Sequence, residues 1–150
     1  MLRENINAAL KEAMKAHDAP KVSTLRLVNA ALKNADIEAR GQGKAALADE
    51  DVLSLLQKMI KQRQESVELY EKGARPELAA KEREEIAVIS AYLPKQLSAE
   101  EAEAAVKAVI AEIGAAGMKD MGKVIAALRE RHAGQLDMGK ASGIVKGLLK

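Results

Sequence analysis

A chain of 150 residues is long enough for one ordinary domain or two small ones with real cores, and its 24 Lys and Arg nearly balance 22 Asp and Glu, leaving a net charge of +2. The absence of Cys excludes disulfides and thiolate metal sites, and the absence of Phe and Trp excludes a stacking platform for unpaired bases. No run approaches the ~20 apolar residues of a membrane span, and the opening MLRENINAALKEAMKAHD, interrupted by Glu4 and Glu12, is neither a secretory signal nor a good transit peptide, so the expected location is cytoplasmic.

Hydrophobic spacing is helical throughout, with no run of period-two alternation, which predicts an all-α fold. The first stripe is Leu2, Ile6, Leu10, Ala13 and Met14, ending near HDAPK, where Pro20 disfavours continuation. A second helix is predicted from about Ser23 to Arg40, with Leu25, Val28, Leu32 and Ala35 inward. GQGKAALAD then breaks the pattern, with glycines for the turn and Asp49 as the expected N-cap. The third and longest helix is predicted over about Glu50 to Lys72, with Val52, Leu55, Leu56, Met59, Ser66, Val67 and Tyr70 on its stripe and Gly73 as its C′ residue. Pro76 opens a fourth helix, where a missing N–H costs nothing, carrying Leu78, Ile86, Ile89 and Leu93 and ending before Pro94. These helices form one unit, residues 1–94. After it, Ser98 and Glu101 make a capping box for a fifth helix bearing Val106, Val109, Ile110 and Ile113, so a second unit is expected over residues 95–150.

GMKDMGKV at 117–124 and GQLDMGKA at 134–141 both fit G-x-x-x-x-G-K, the phosphate loop of nucleotide-hydrolysing enzymes. Such a loop follows a strand and places Ser or Thr after the Lys to bind magnesium; here no strand precedes, Val124 and Ala141 replace the hydroxyl, and Asp120 and Asp137 put negative charge where phosphate would sit. No nucleotide is therefore expected. Aligning Met121 with Met138 instead gives two helix starts, with Val124, Ala127 and Leu128 matching Ala141, Ile144 and Val145 on an apolar stripe. Asp120 and Asp137 then lie at or near N-caps, Gly122 and Gly139 allow close packing or the approach of another backbone, and Lys123 and Lys140 stand on matching exposed positions.

Residues 1–94 hold 15 Lys or Arg against 15 Asp or Glu, whereas residues 119–150 hold 7 against 3. An anionic partner is therefore sought first on Lys119, Lys123, Arg129, Arg131, Lys140 and Lys146. A solvated polar face is the ordinary reading of such charges; contact with phosphate is the functional one. On the third helix Arg63 falls on the extended apolar stripe, and on the fourth Glu82 and Glu85 share a line with Leu78, Ile86 and Ile89. If the two helices form a hairpin, Arg63 pairs with Glu82 or Glu85 as a structural ion pair. The alternative, an acid/base or metal pair of carboxylates, lacks the Glu-x-x-His elements of helical metal sites, so no metal, cofactor or catalytic residue is expected.

The segments LRLVNAALKN, KMIKQRQESVELYEKGARPELAAKEREEIAVISAYLPKQLSAEE and GMKDMGKVIAALRERHAGQLDMGKASGIVKGLL together resemble the GatB/YqeY family, specifically its free-standing YqeY-like members. The resemblance implies two all-α units, a four-helix N-terminal bundle and a three-helix C-terminal unit. It also implies a link to tRNA: the same module forms the tail of the B subunit of the tRNA-dependent amidotransferase, a carbon–nitrogen ligase using glutamine as amido donor to convert Glu-tRNA(Gln) and Asp-tRNA(Asn). This chain resembles only that tail, without the catalytic cradle, so it is expected to be a non-catalytic tRNA-binding accessory. The alternative is an adaptor that docks an aminoacyl-tRNA synthetase or other translation protein without touching RNA.

Overall fold

The computed structural model describes residues 2–43 and 47–150. Among them the chain is all-helical, with α-helices and a single 3-10 turn and no strand. No helix among these residues is long and apolar enough to cross a membrane. The chain divides into two compact units, Met1–Leu93 and Pro94–Lys150.

In the first unit, α1 (Leu2–Lys15), α2 (Ala19–Gly41), α3 (Asp49–Lys72) and α4 (Pro76–Ser90) follow one another with short connections. α1 closes with His17 in the left-handed region (φ 53) and the Asp18 N–H donating to the Ala13 carbonyl at 3.0 Å. Asp18 then caps α2, its carboxylate accepting the Lys21 N–H at 3.3 Å. Pro20 thus separates α1 from α2, yet α2 begins earlier than the expected Ser23, because the first-turn N–H groups of a helix have no intrahelical partner to lose.

Two further helix ends depart from the sequence reading. Ala48, not Asp49, holds the N-cap position of α3; Asp49 is its first helical residue, and the Asp51 carboxylate reaches back to the Ala48 N–H at 3.1 Å. Lys44 to Ala46, within the segment where the sequence predicts a break, lie outside the described residues. At the other end Gly73 keeps φ at −86°, while Ala74 takes the left-handed conformation (φ 57) and the Arg75 N–H donates to the Tyr70 carbonyl at 2.7 Å. The turn needs its left-handed residue one place later than the glycine.

The core of this unit consists of Ile6, Leu25, Val28, Leu32, Val52, Leu56, Met59 and Ile89, with Leu2, Leu10, Tyr92 and Leu93 at its margin. Met14 and Leu78, both read as inward, are exposed; α4 instead buries Ala79. Between Lys61 and Ala87 no side chain joins this core, and there α3 and α4 pack on each other. A bidentate pair, Arg3 Nη1 and Nη2 to Asp36 at 2.8 and 2.9 Å, joins α1 to α2, and this hydrogen bonding holds the Asp36 carboxyl below its ordinary range.

Truncating a core side chain with little room to collapse leaves a cavity, so Ile89→Ala is expected to cost roughly 2–5 kcal/mol in urea unfolding. Ala74→Gly is expected to raise the urea midpoint, because the left-handed conformation penalises a Cβ by about 1 kcal/mol. An unchanged or lower midpoint would refute that reading of the turn.

Candidate nucleic-acid interface

The second unit is built by α5 (Ala99–Ile113), a 3-10 turn (Met118–Asp120), α6 (Met121–Arg131) and α7 (Met138–Leu149). The capping box starts α5: the Glu101 N–H donates to Ser98 Oγ and the Ser98 N–H to Glu101 Oε1, each at 3.1 Å, which lowers the Glu101 pKa. Gly114, at φ 73, closes it. Val106, Val109, Val124, Leu128, Leu136, Ala141, Val145 and Leu149 form the core, which brings the helices against one another. The segment leaving Pro94 is fastened to this unit, since the Leu97 N–H donates to the Gln135 carbonyl at 3.0 Å and the Gln96 amide to the Gly134 carbonyl.

α6 and α7 repeat one pattern: Met121, Lys123, Val124, Leu128 and Arg129 match Met138, Lys140, Ala141, Val145 and Lys146 in helical position. Their starts are nevertheless different. Asp137 caps α7, accepting the Gly139 N–H at 2.8 Å and the Lys140 N–H at 3.4 Å. Asp120 makes no such bond to α6; its carboxylate accepts the Ala116 N–H at 3.0 Å, and the 3-10 turn runs directly into the helix. Gly117 is extended whereas Gly134 has φ 75, so the same letters do not make the same loop. With Asp137 occupying the amides of α7 and the 3-10 turn continuing into α6, neither start offers a cradle of backbone N–H groups, and phosphate would be met by side chains.

Lys119, Lys123, Arg129, Lys140 and Lys146 are all exposed, and none has an ion-pair partner among the described residues. Arg131 differs. Its guanidinium grips Glu112 on α5 through two bonds, Nη2 to Oε1 at 2.7 Å, which lowers the Glu112 pKa and raises that of Arg131. The partner lies on another helix, and nothing in the local pattern announced it.

Gly122 does not serve close packing: it is exposed, and a Cβ there would meet nothing within 4 Å. A Cβ on Gly139 would instead press on the Asp137 carboxylate at 3.2 Å. Gly143 and Gly147 also face open space. At 100° per residue Gly139, Gly143 and Gly147 share the outward line of α7 that runs between Lys140 and Lys146. α7 therefore presents bare backbone flanked by cations.

In the first unit Arg63 Nε lies 2.9 Å from Glu85 Oε2, with side chains only 14% and 13% exposed, and Arg63 Nη1 donates to the Met59 carbonyl at 3.1 Å. Arg83 pairs with Glu71 across the same two helices. Glu82 is half-buried and has no partner among the described residues. The Glu85 carboxylate is thus paired with a guanidinium. No group of His, Cys, Asp or Glu among the described residues is placed to hold a metal ion.

Because a nearly buried charge without its partner is costly, Arg63→Met alone is expected to destabilise by roughly 3 kcal/mol, with most of the loss recovered when Glu85→Leu is added. A double-mutant cycle in urea checks this; additive losses would show that the pair is not coupled.

Residues 3–149 match the family described as Yqey-like protein. Altered inheritance of mitochondria protein 41, mitochondrial, from Lachancea thermotolerans is 36% identical over 99 residues, covering 66% of this chain and 51% of that protein. Its namesake from Eremothecium gossypii is 36% identical over 106 residues, covering 69% of this chain and 56% of that protein. An uncharacterised protein of Schizosaccharomyces pombe is 31% identical over 97 residues, 65% of this chain and 76% of that protein. The chain spans about half the length of the first two relatives, whose names place them in mitochondria. With both helical units inside the matched region, the chain belongs to the YqeY-like family.

Proposed function

We propose that the C-terminal unit binds tRNA through its phosphate backbone and acts as an accessory module without chemistry of its own. The observation that carries this reading is the set of exposed cations on the C-terminal unit, Lys119, Lys123, Arg129, Lys140 and Lys146, which have no carboxylate partners among the described residues. Paired cations on a protein surface are already neutralised; these are not, and a polyanion gains counterion release by meeting them. The glycine line on α7 supports the same conclusion, because a bare helix face lets a phosphodiester chain approach between Lys140 and Lys146 without a side chain in the way. A structured RNA is favoured over single strands, since residues 94–150 hold no Phe, Trp or Tyr on which bases would stack.

The resemblance to the tail of the amidotransferase B subunit supports tRNA as the RNA class. It does not extend to carbon–nitrogen ligase chemistry, which belongs to the cradle this chain does not resemble. The reading places the protein where tRNA is used, in the cytoplasm or in the mitochondria to which the names of its relatives refer.

A gel-shift titration with tRNA tests the proposal. Binding should weaken with salt along a log–log slope of about −4 if five phosphates are neutralised. Lys123→Glu with Lys140→Glu should abolish the shift. No shift at low salt, or a shift indifferent to that double change, sinks the reading. Glu112→Gln should strengthen binding, because it releases the Arg131 guanidinium and removes a negative charge from the same unit. Gly143→Ala separates fold from function: it should raise thermal stability by the roughly 0.5–1 kcal/mol that a helical glycine costs, yet weaken tRNA binding.

A further inference from the structure

The outward face of α2 carries a feature that the tRNA reading does not use. Opposite the buried line of Leu25, Val28 and Leu32, a second apolar line runs through Leu27, Ala30 and Ile37, with Leu27 44% and Ile37 63% exposed. Leu27 and Ala30 repeat as Asn34 and Ile37 after seven residues, which is the a and d spacing of a helix–helix seam. Arg26, Lys33 and Arg40, also spaced by seven, occupy the position just before each a residue, the g position that flanks such a seam. All three are exposed and none forms a salt bridge among the described residues, although Arg40 lies near enough to Asp36 to help lower its pKa and the unit they belong to has a balanced charge. At the N-terminal end of the seam a shallow groove between α1 and α2 adds Met14 and Val22 to the apolar surface.

We infer that this face of α2 docks an acidic amphipathic helix of a partner protein. The physical case rests on the two elements together. Leu27 and Ile37 would bury apolar area that now faces water, over a seam of about 15 Å. Each flanking cation would meet a carboxylate on the partner's facing edge, and Asn34 at an a position would fix the register. A second copy of this chain fits poorly. Packed antiparallel, it would set the g positions of the two helices against each other, cation to cation; packed parallel, only Lys33 would find an acid, Glu38. Nucleic acid fits poorly as well, because the apolar line lies along the cations where phosphates would pass.

The probe is a synthetic helical peptide of three heptads with Leu at a and d and Glu at e and g, titrated against the full-length protein by fluorescence anisotropy; its control carries Lys at e and g. The acidic peptide is expected to bind at least about tenfold more tightly than the basic one, three charge pairs each contributing a factor of about two in either direction. Ile37→Asp should remove the binding. Arg26→Glu with Lys33→Glu and Arg40→Glu, all on exposed positions and checked for an unchanged circular dichroism spectrum, should invert the preference toward the basic peptide. Equal binding of both peptides, or of neither, overturns the inference. So does displacement of the acidic peptide by excess tRNA, which would assign the face to RNA, or a dimer in analytical ultracentrifugation lost with Ile37→Asp, which would assign it to a second copy. Failure of tRNA to bind the C-terminal lysines leaves these outcomes unaffected, since they are read on another helix.

Discussion

Everything in this chain depends on burying aliphatic stripes in two separate cores, each built, among the described residues, from fewer than ten buried side chains. Neither contains Phe or Trp, and the one aromatic that approaches them, Tyr92, lies at the margin of the first, where burial raises its pKa. Small aliphatic cores leave a narrow margin over the conformational entropy lost on folding. Helix ends accordingly matter more than they would in a larger domain. Asp18, Asp51, Ser98 with Glu101, and Asp137 each satisfy N–H groups that a helix start leaves open. At the C-termini His17, Ala74 and Gly114 turn the chain in the left-handed region, two of them without the freedom of glycine.

The same economy sorts the charges. In the first unit three arginines are used internally: Arg3 with Asp36 fastens α1 to α2, and Arg63 with Glu85 and Arg83 with Glu71 set the register of α3 against α4. In the second unit Arg131 alone of the six candidate cations is engaged in this way, by Glu112. Exposed cations without an ion-pair partner among the described residues occur in both units, Lys11, Lys15, Lys72 and Lys81 among them, and two groups stand along a helix face, one on α6 and α7 and one on the outer side of α2. The two differ in what accompanies the charge. On α7 it is bare glycine backbone, which suits a polyanion; on α2 it is Leu27 and Ile37, which suit a helix.

The helices and their approximate limits were legible because apolar residues recur at helical spacing and because prolines and capping residues punctuate them. Misreadings fell at the ends. Asp49 and Gly73 each have the right chemistry for a helix terminus, but the residue that performs it is Asp51 and Ala74 respectively, and Asp120 holds the N-cap position of α6 without the side-chain bonds that Asp137 makes to α7, because a cap depends on backbone angles set by the connecting turn. Gly122 fits close packing or the approach of another backbone by residue type, and only the surrounding structure shows that nothing lies within 4 Å of a Cβ there. The Arg63 pairing was visible as charges on an apolar stripe, whereas Arg131 with Glu112 was not, since both lie on exposed faces and meet only through the packing of α5 on α6.

The amino-acid sequence by itself determined the all-helical class, the departure of both G-x-x-x-x-G-K segments from a phosphate loop's pattern, and the concentration of positive charge in the last third of the chain. These follow from residue type and spacing alone. Tertiary structure decided which of those charges are free, because neutralisation depends on a carboxylate arriving from another helix. It also decided that α2 keeps an apolar line in solvent, since a stripe at helical spacing looks the same whether or not another helix covers it.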